Sequence, residues 1–249
     1  MKASLTKLPR IFILTVGIFL LTNCGSNSLY SPSASVTPEE SISIAQAYCD
    51  HQWVPSAQHI FHGSAPDGIV IHTPDNGYNQ SSWKHRGWWK PAMVNTGIPY
   101  KWGGFDTPES FDQKINSGVY AGDSYTQQKR NLLEHGVSKY TCGVDCSGFI
   151  SRCWRLSRPY STRELPSICH RLSSYDDLKA GDILNKHNAH VLLFYKYANA
   201  SKTRMIVYQA GAPPISKTER FIETTSYLKN RGFIPYRYKN MRHSVNTPH

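Results

Sequence analysis

Three apolar runs in the second half of the chain stand too close together for anything but tight reversals between them: Gly181–Asn185 (GDILN), His190–Tyr197 (HVLLFYKY) and Arg204–Ala210 (RMIVYQA). Their length and their β-branched and aromatic content mark them as strands. Four residues separate the first two and six the next pair, whereas parallel neighbours need a crossover of about a dozen or more. An antiparallel meander is therefore expected, with Gly232–Tyr238 (GFIPYRY) as a fourth strand. Ahead of it, Phe149, Ile150, Cys153, Trp154 and Leu156 recur at roughly helical spacing. That pattern predicts a helix with Cys146 at or near its N-terminus and Asp145 as a suitable N-cap. A cysteine-bearing helix followed by an antiparallel sheet gives the fold class α+β.

That placement gives Cys146 a chemical meaning. A thiol attacks as its thiolate, and a helix N-terminus supplies N–H groups and partial positive charge that favour the anion. His190 opens the most hydrophobic run, where a rigid strand start can hold a general base within reach of the sulfur. Gln209, near the end of the next strand, offers a side-chain oxygen that can accept from the ring N–H and so fix the tautomer. The plain alternative is that both Cys146 and His190 are core residues. His187 is a rival base, three residues earlier in a Lys-His-Asn turn.

The N-terminus carries an address. Lys2, Lys7 and Arg10 precede Ile11–Leu21, an uncharged run of 11 residues, about half the ~20 that a spanning helix needs. It reads as a signal h-region. Leu21-Thr22-Asn23-Cys24 resembles a bacterial lipobox, whose cysteine is diacylated and becomes the first mature residue; Asn23 stands where Gly, Ala or Ser is usual. The other reading is an ordinary secretory signal. Either one takes the chain out of the cytoplasm and excludes most nucleic-acid functions. The expected organisation is a signal peptide over 1–23, a Ser/Pro/Asn-rich tether over 24–40, an extension over 41–95 and the catalytic region over 96–249. A short helix is expected from Ser41 to Tyr48 and a strand over Gly68–His72. The tryptophans Trp83, Trp88 and Trp89 suit core packing better than sugar stacking.

The 249 residues include 39% hydrophobic and 18% charged side chains, a globular composition. The net charge of +11 favours an anionic partner, lipid or wall polymer in an envelope protein. It is concentrated: from Ile183 onward, 11 Lys plus Arg face only Glu219 and Glu223. Cys142 and Cys146 have no second pair at ligand spacing, so neither zinc nor another metal or cofactor is expected. Cys49, Cys142, Cys153 and Cys169 allow three complete disulfide pairings, and Cys153, on the apolar side of its helix, reads as a buried free thiol.

Four blocks, in order, resemble the NlpC-type (p-sixty) cell-wall cysteine peptidases of the papain-like superfamily. They are Gly97-Ile-Pro-Tyr-Lys-Trp-Gly-Gly104; Gly143-Val-Asp-Cys-Ser-Gly-Phe149; Leu178-Lys-Ala-Gly-Asp-Ile-Leu184 with Ala189-His-Val191; and Val207-Tyr-Gln-Ala210. The resemblance implies a papain-like fold, Cys146 as nucleophile, His190 as base and Gln209 at the third polar position, where His is commoner. It implies that Tyr100 helps bind substrate or oxyanion beside the N–H of Cys146, and that Asp145 and Ser147 contact the amino end of a stem peptide. The implied activity is hydrolysis of peptidoglycan stem-peptide amides through a thioester, near D-glutamate and the diamino acid. The chain would then be a lipid-anchored envelope protein, at the outer membrane in a cell that has one, with stem peptides and the membrane as partners and no nucleic acid. A CHAP-type amidase or acyltransferase, or an inactive wall-binding lipoprotein, are the competing readings. In most members the first two blocks lie closer together; here Phe105–Cys142 puts 38 residues between them. A helix is expected inside that insertion, over Ser124–His135, as a lid or a reshaped cleft wall.

Overall fold

The protein is described by a computed structural model that covers residues 28–80 and 85–242. The segment expected to be a signal peptide, Cys24 and Trp83 lie outside the described residues. Among those described, no helix is long and apolar enough to cross a membrane.

Thr37-Pro38-Glu39-Glu40 starts the first helix, α1 (Pro38–Asp50). The Thr37 hydroxyl accepts from the Glu40 N–H at 3.1 Å, and the Glu40 carboxylate accepts from the Thr37 N–H at 2.8 Å. This capping box, with proline in the first turn, explains why the helix begins three residues before the expected Ser41. Thr107 and Ser110 repeat the device at α2 (Pro108–Asn116), a helix inside the insertion. The helix expected over Ser124–His135 is reduced to α3 (Gln127–Leu132) and a 3-10 turn at Leu133–Gly136, because Thr126 caps its start and Leu133 takes a positive φ of 52°. The cysteine helix, α4, spans Cys146–Cys153.

Six strands form one antiparallel sheet: β1 (Cys169–Arg171), β2 (Ile183–Lys186), β3 (His190–Tyr197), β4 (Arg204–Ala210), β5 (Thr218–Thr224) and β6 (Ile234–Tyr238), in the order β5-β4-β3-β2-β6-β1. A short helix, α5 (Thr225–Asn230), joins β5 to β6. The meander β2–β3–β4 is the expected one, extended by β5. The architecture is α+β, as the sequence pattern implies. Both faces of the sheet are buried. Val191, Leu193, Tyr208 and Ala210 join the main core with Phe149, Ile150 and Trp154 of α4 and Ile44, Ala45 and Tyr48 of α1. Leu192, Phe194, Met205 and Val207 face the other way, onto Tyr175, Leu178 and Leu228. That period of two accounts for the almost unbroken apolar run in β3.

The packing runs across two of the expected boundaries. The described part of the tether, residues 28–40, is not a free spacer: Ser33 donates to the Arg155 carbonyl at 2.9 Å, Tyr30 packs edge-on to Tyr48, and Val36 is 1% exposed and bridged to Met241. A polar composition hides two apolar anchors, Tyr30 and Val36. Nor does the packing divide at residue 96, since α1, Trp53 and Trp89 share the main core with α4 and β3. The strand expected over Gly68–His72 is Val70–His72, paired with His62–Ser64. Trp89 is fully buried against Trp53 and serves as core, while the half-buried Trp88 packs against that core and donates to the Ser216 carbonyl at 2.8 Å.

The first turn of α4 lies directly on the turn that ends at Gly104. A Cβ on Gly148 would sit 2.0 Å from the Gly104 carbonyl oxygen. Alanine normally favours a helix interior over glycine by about 1 kcal/mol; here backbone overlap reverses the sign. Gly148→Ala is expected to destabilise the protein by roughly 3 kcal/mol or more, read as a fall of about 6–12 °C in Tm. An unchanged Tm would show that α4 is not seated this closely.

Candidate active site

Asp145 caps α4 with an extended backbone, and its carboxylate accepts from the Gly148 N–H at 2.6 Å and the Ser147 hydroxyl at 3.0 Å. Its second oxygen accepts from the Gly103 N–H at 3.1 Å. Asp145 therefore joins the helix start to the Trp102-Gly-Gly turn, and Ser147 braces its carboxylate. Cys146 follows at the first helical position, 8% exposed. Its sulfur lies against the first peptide of β3, facing the Val191 N–H and the N–H groups of Ser147 and Cys146 itself.

His190 opens β3, and its Nε2 lies 2.7 Å from Gln209 Oε1. The Gln209 amide nitrogen in turn donates to Glu219 Oε1 at 2.8 Å. Gln209 and Glu219 are direct cross-strand partners on β4 and β5. A carboxylate can only accept, so the amide presents its NH2 to Glu219 and its oxygen to the ring. His190 must then donate from Nε2, leaving the lone pair on Nδ1, the tautomer of a base. Tyr208, one residue earlier, turns to the opposite face and donates to Gln46 at 2.7 Å.

Tyr100 is 3% exposed. Its peptide is held from three sides: its N–H donates to the Ser216 carbonyl at 2.8 Å, its carbonyl accepts from the Asp123 N–H at 2.9 Å, and the next N–H donates to the Val144 carbonyl at 3.1 Å. Burial, then the nearby Cys146 and Asp145, push its hydroxyl well above the ordinary tyrosine range, so it stays protonated and can donate. Tyr100, Asp145, Cys146, Ser147, His190 and Gln209 all line one cleft of about 1000 Å³. The sequence-derived residues thus converge, whereas His187 lies exposed in the turn before β3.

One expectation about the thiol is reversed. Burial and the adjacent Asp145 carboxylate push Cys146 up to about 12, outweighing the three backbone N–H groups that favour its anion. Burial also pulls His190 below its ordinary 6.5, against the raising effect of the Gln209 bond. At neutral pH the resting pair is therefore a thiol and a neutral imidazole. A helix N-terminus lowers a thiol pKa only where burial does not cost more.

The insertion forms a wall of this cleft through Tyr125, Arg130, Leu133, Glu134 and Val137. Lys129 anchors it with an ion pair to Asp123, both side chains almost wholly buried, and a bond to the Ser124 carbonyl at 3.2 Å. Arg130 reaches the Asn188 carbonyl in the turn before β3, and Glu134 pairs with Arg163 at 3.5 Å. Among the described residues the cysteines Cys49, Cys142, Cys146, Cys153 and Cys169 are all free thiols, and no group of three or more His, Cys, Asp or Glu side chains could hold a metal ion.

Glu219 is the polar residue that sequence reasoning misses. Thr218–Thr224 (TERFIET) is polar at most positions and half-buried, so it lacks the apolar signal of a strand, and only the β4–β5 register brings Glu219 to Gln209. No family model matches this chain, and neither a curated protein nor a solved structure matches it.

Proposed function

We propose that the protein is an envelope cysteine peptidase of the NlpC type, papain-like in fold, that hydrolyses amide bonds in peptidoglycan stem peptides through a thioester. The observation that carries this reading is the His190–Gln209 bond at 2.7 Å in the cleft that also holds Cys146 at a helix start. The four sequence blocks and the lipobox-like Leu21-Thr-Asn-Cys24 support the substrate and the membrane anchor.

The resting charges dictate the order of events. With a protonated thiol and a neutral imidazole, no ion pair waits for substrate. His190 Nδ1 takes the thiol proton as Sγ bonds to the scissile carbonyl carbon, whose π electrons move onto its oxygen. The Cys146 N–H and the Tyr100 hydroxyl are the donors for that oxyanion. The imidazolium then returns its proton to the leaving nitrogen as the C–N bond breaks, giving amine and thioester. Water, deprotonated by His190, attacks the thioester and restores the thiol, releasing a carboxylic acid. The Gln209 oxygen holds the ring throughout. Because Gln209 is neutral, it orients the imidazolium without the stabilisation a direct carboxylate partner would give.

Activity requires neutral His190. As pH falls through the His190 pKa, the base is lost and kcat/KM falls; the acid limb should therefore lie below the ordinary histidine value of 6.5. The pH profile of kcat/KM on a stem peptide checks this. An acid limb above 6.5 would assign the base elsewhere.

A further inference from the structure

The amide of Gln209 works only if it faces the right way. Turned over, its NH2 would meet His190, the ring would accept at Nε2, and Nδ1 would carry the proton and could not take one from Cys146. Nothing in an amide's shape selects between the two orientations, so a neighbour must. Gln209 is 8% exposed, which leaves little room for water to do so. The neighbour in contact is Glu219, directly across the β4–β5 ladder, with its Oε1 2.8 Å from the amide nitrogen.

We propose that Glu219 is a positioning residue of the site, whose acceptor-only carboxylate sets the direction of the Gln209 amide and through it the His190 tautomer. The inference rests on the proposed cysteine-hydrolase reading for its catalytic meaning, though the relay itself does not depend on substrate. A turned amide would bring two acceptor oxygens together and lose a charge-assisted hydrogen bond. The selected orientation should be favoured by roughly ten- to a hundredfold on that bond alone. Glu219, Gln209 and His190 occupy three successive strands, β5, β4 and β3, so the sheet holds the relay rigidly. A plain cross-strand pair, by contrast, would stabilise the β4–β5 hairpin and leave the tautomer indifferent to the identity of residue 219.

The test reads the tautomer directly, by long-range proton–nitrogen NMR of the His190 ring in the full chain without substrate. Wild type is expected to show the Nε2–H form. Glu219→Lys replaces an acceptor by a donor, so the amide should turn and the ring should switch to the Nδ1–H form. Glu219→Gln, which can accept or donate, should give a mixture of the two. On a stem peptide, Glu219→Lys should lower kcat by up to about ten-thousandfold, the scale of a wrong histidine tautomer, with KM little changed. A Nδ1–H ring in wild type, or the same tautomer in wild type and both folded variants, would overturn the proposal. A tautomer that inverts in a protein without activity on stem peptides would uphold the relay and sink the proposed function instead.

Discussion

Cys146→Ala is expected to abolish hydrolysis while the fold survives. In the proposed mechanism Sγ is the atom that bonds to the scissile carbon, and no other described cysteine lines the cleft that holds His190. The loss should reach roughly 10⁴- to 10⁶-fold in kcat, the range seen when a covalent nucleophile is removed and only binding and oxyanion contacts remain. Stability should change little by comparison, by about 1–2 kcal/mol for one small buried side chain. Purified wild-type and variant proteins compared on a stem peptide, with thermal unfolding of both, read the two effects separately. Substantial turnover by the alanine variant would remove Cys146 from the chemistry.

The second large effect is expected at Gln209→Leu. Leucine keeps the bulk at a site that is 8% exposed but removes the oxygen 2.7 Å from His190 Nε2. kcat should fall by roughly ten- to ten-thousandfold, between the loss of one ordinary hydrogen bond and the loss of the correct tautomer. KM should move little, because the amide acts on the ring. Gln209→His or Gln209→Asn should retain much of the rate, since each can still supply an acceptor. Tyr208→Phe is the control: its hydroxyl bonds Gln46 on the far face of β4, so turnover should persist. Steady-state kinetics on the four variants decide the matter. Wild-type turnover by Gln209→Leu, or a larger loss from Tyr208→Phe, would contradict the assigned role.

The readable parts of this fold are those whose signal is local. β2, β3 and β4 are legible because their apolar runs stand only four and six residues apart in the sequence, which leaves one pairing, and α4 because Asp145 caps an apolar stripe. The start of α1 is also local, written in Thr37-Pro-Glu-Glu40, and composition alone obscures it by making residues 24–40 resemble a spacer. What the sequence hides is set at long range. Five of the seven residues of β5 are polar, so neither the strand nor the contact from Glu219 to Gln209 has a local mark. The state of Cys146 is hidden for the same reason: a helix N-terminus argues for a thiolate, and only tertiary burial beside Asp145 reverses it. Gly148 shows the link between the two levels, since a glycine inside a helix looks costly until the Gly104 backbone is seen beside it.

Amide hydrolysis in peptidoglycan stem peptides by Cys146 is read out by digesting purified peptidoglycan with the wild-type protein and determining the masses of the released fragments. Wild type is expected to release fragments that each divide at one stem-peptide amide, with a new amine, a new carboxylate and the mass of one added water between them, and Cys146→Ala none. Intact stem peptides after exposure to the wild-type protein, or the same fragments from Cys146→Ala, would contradict it.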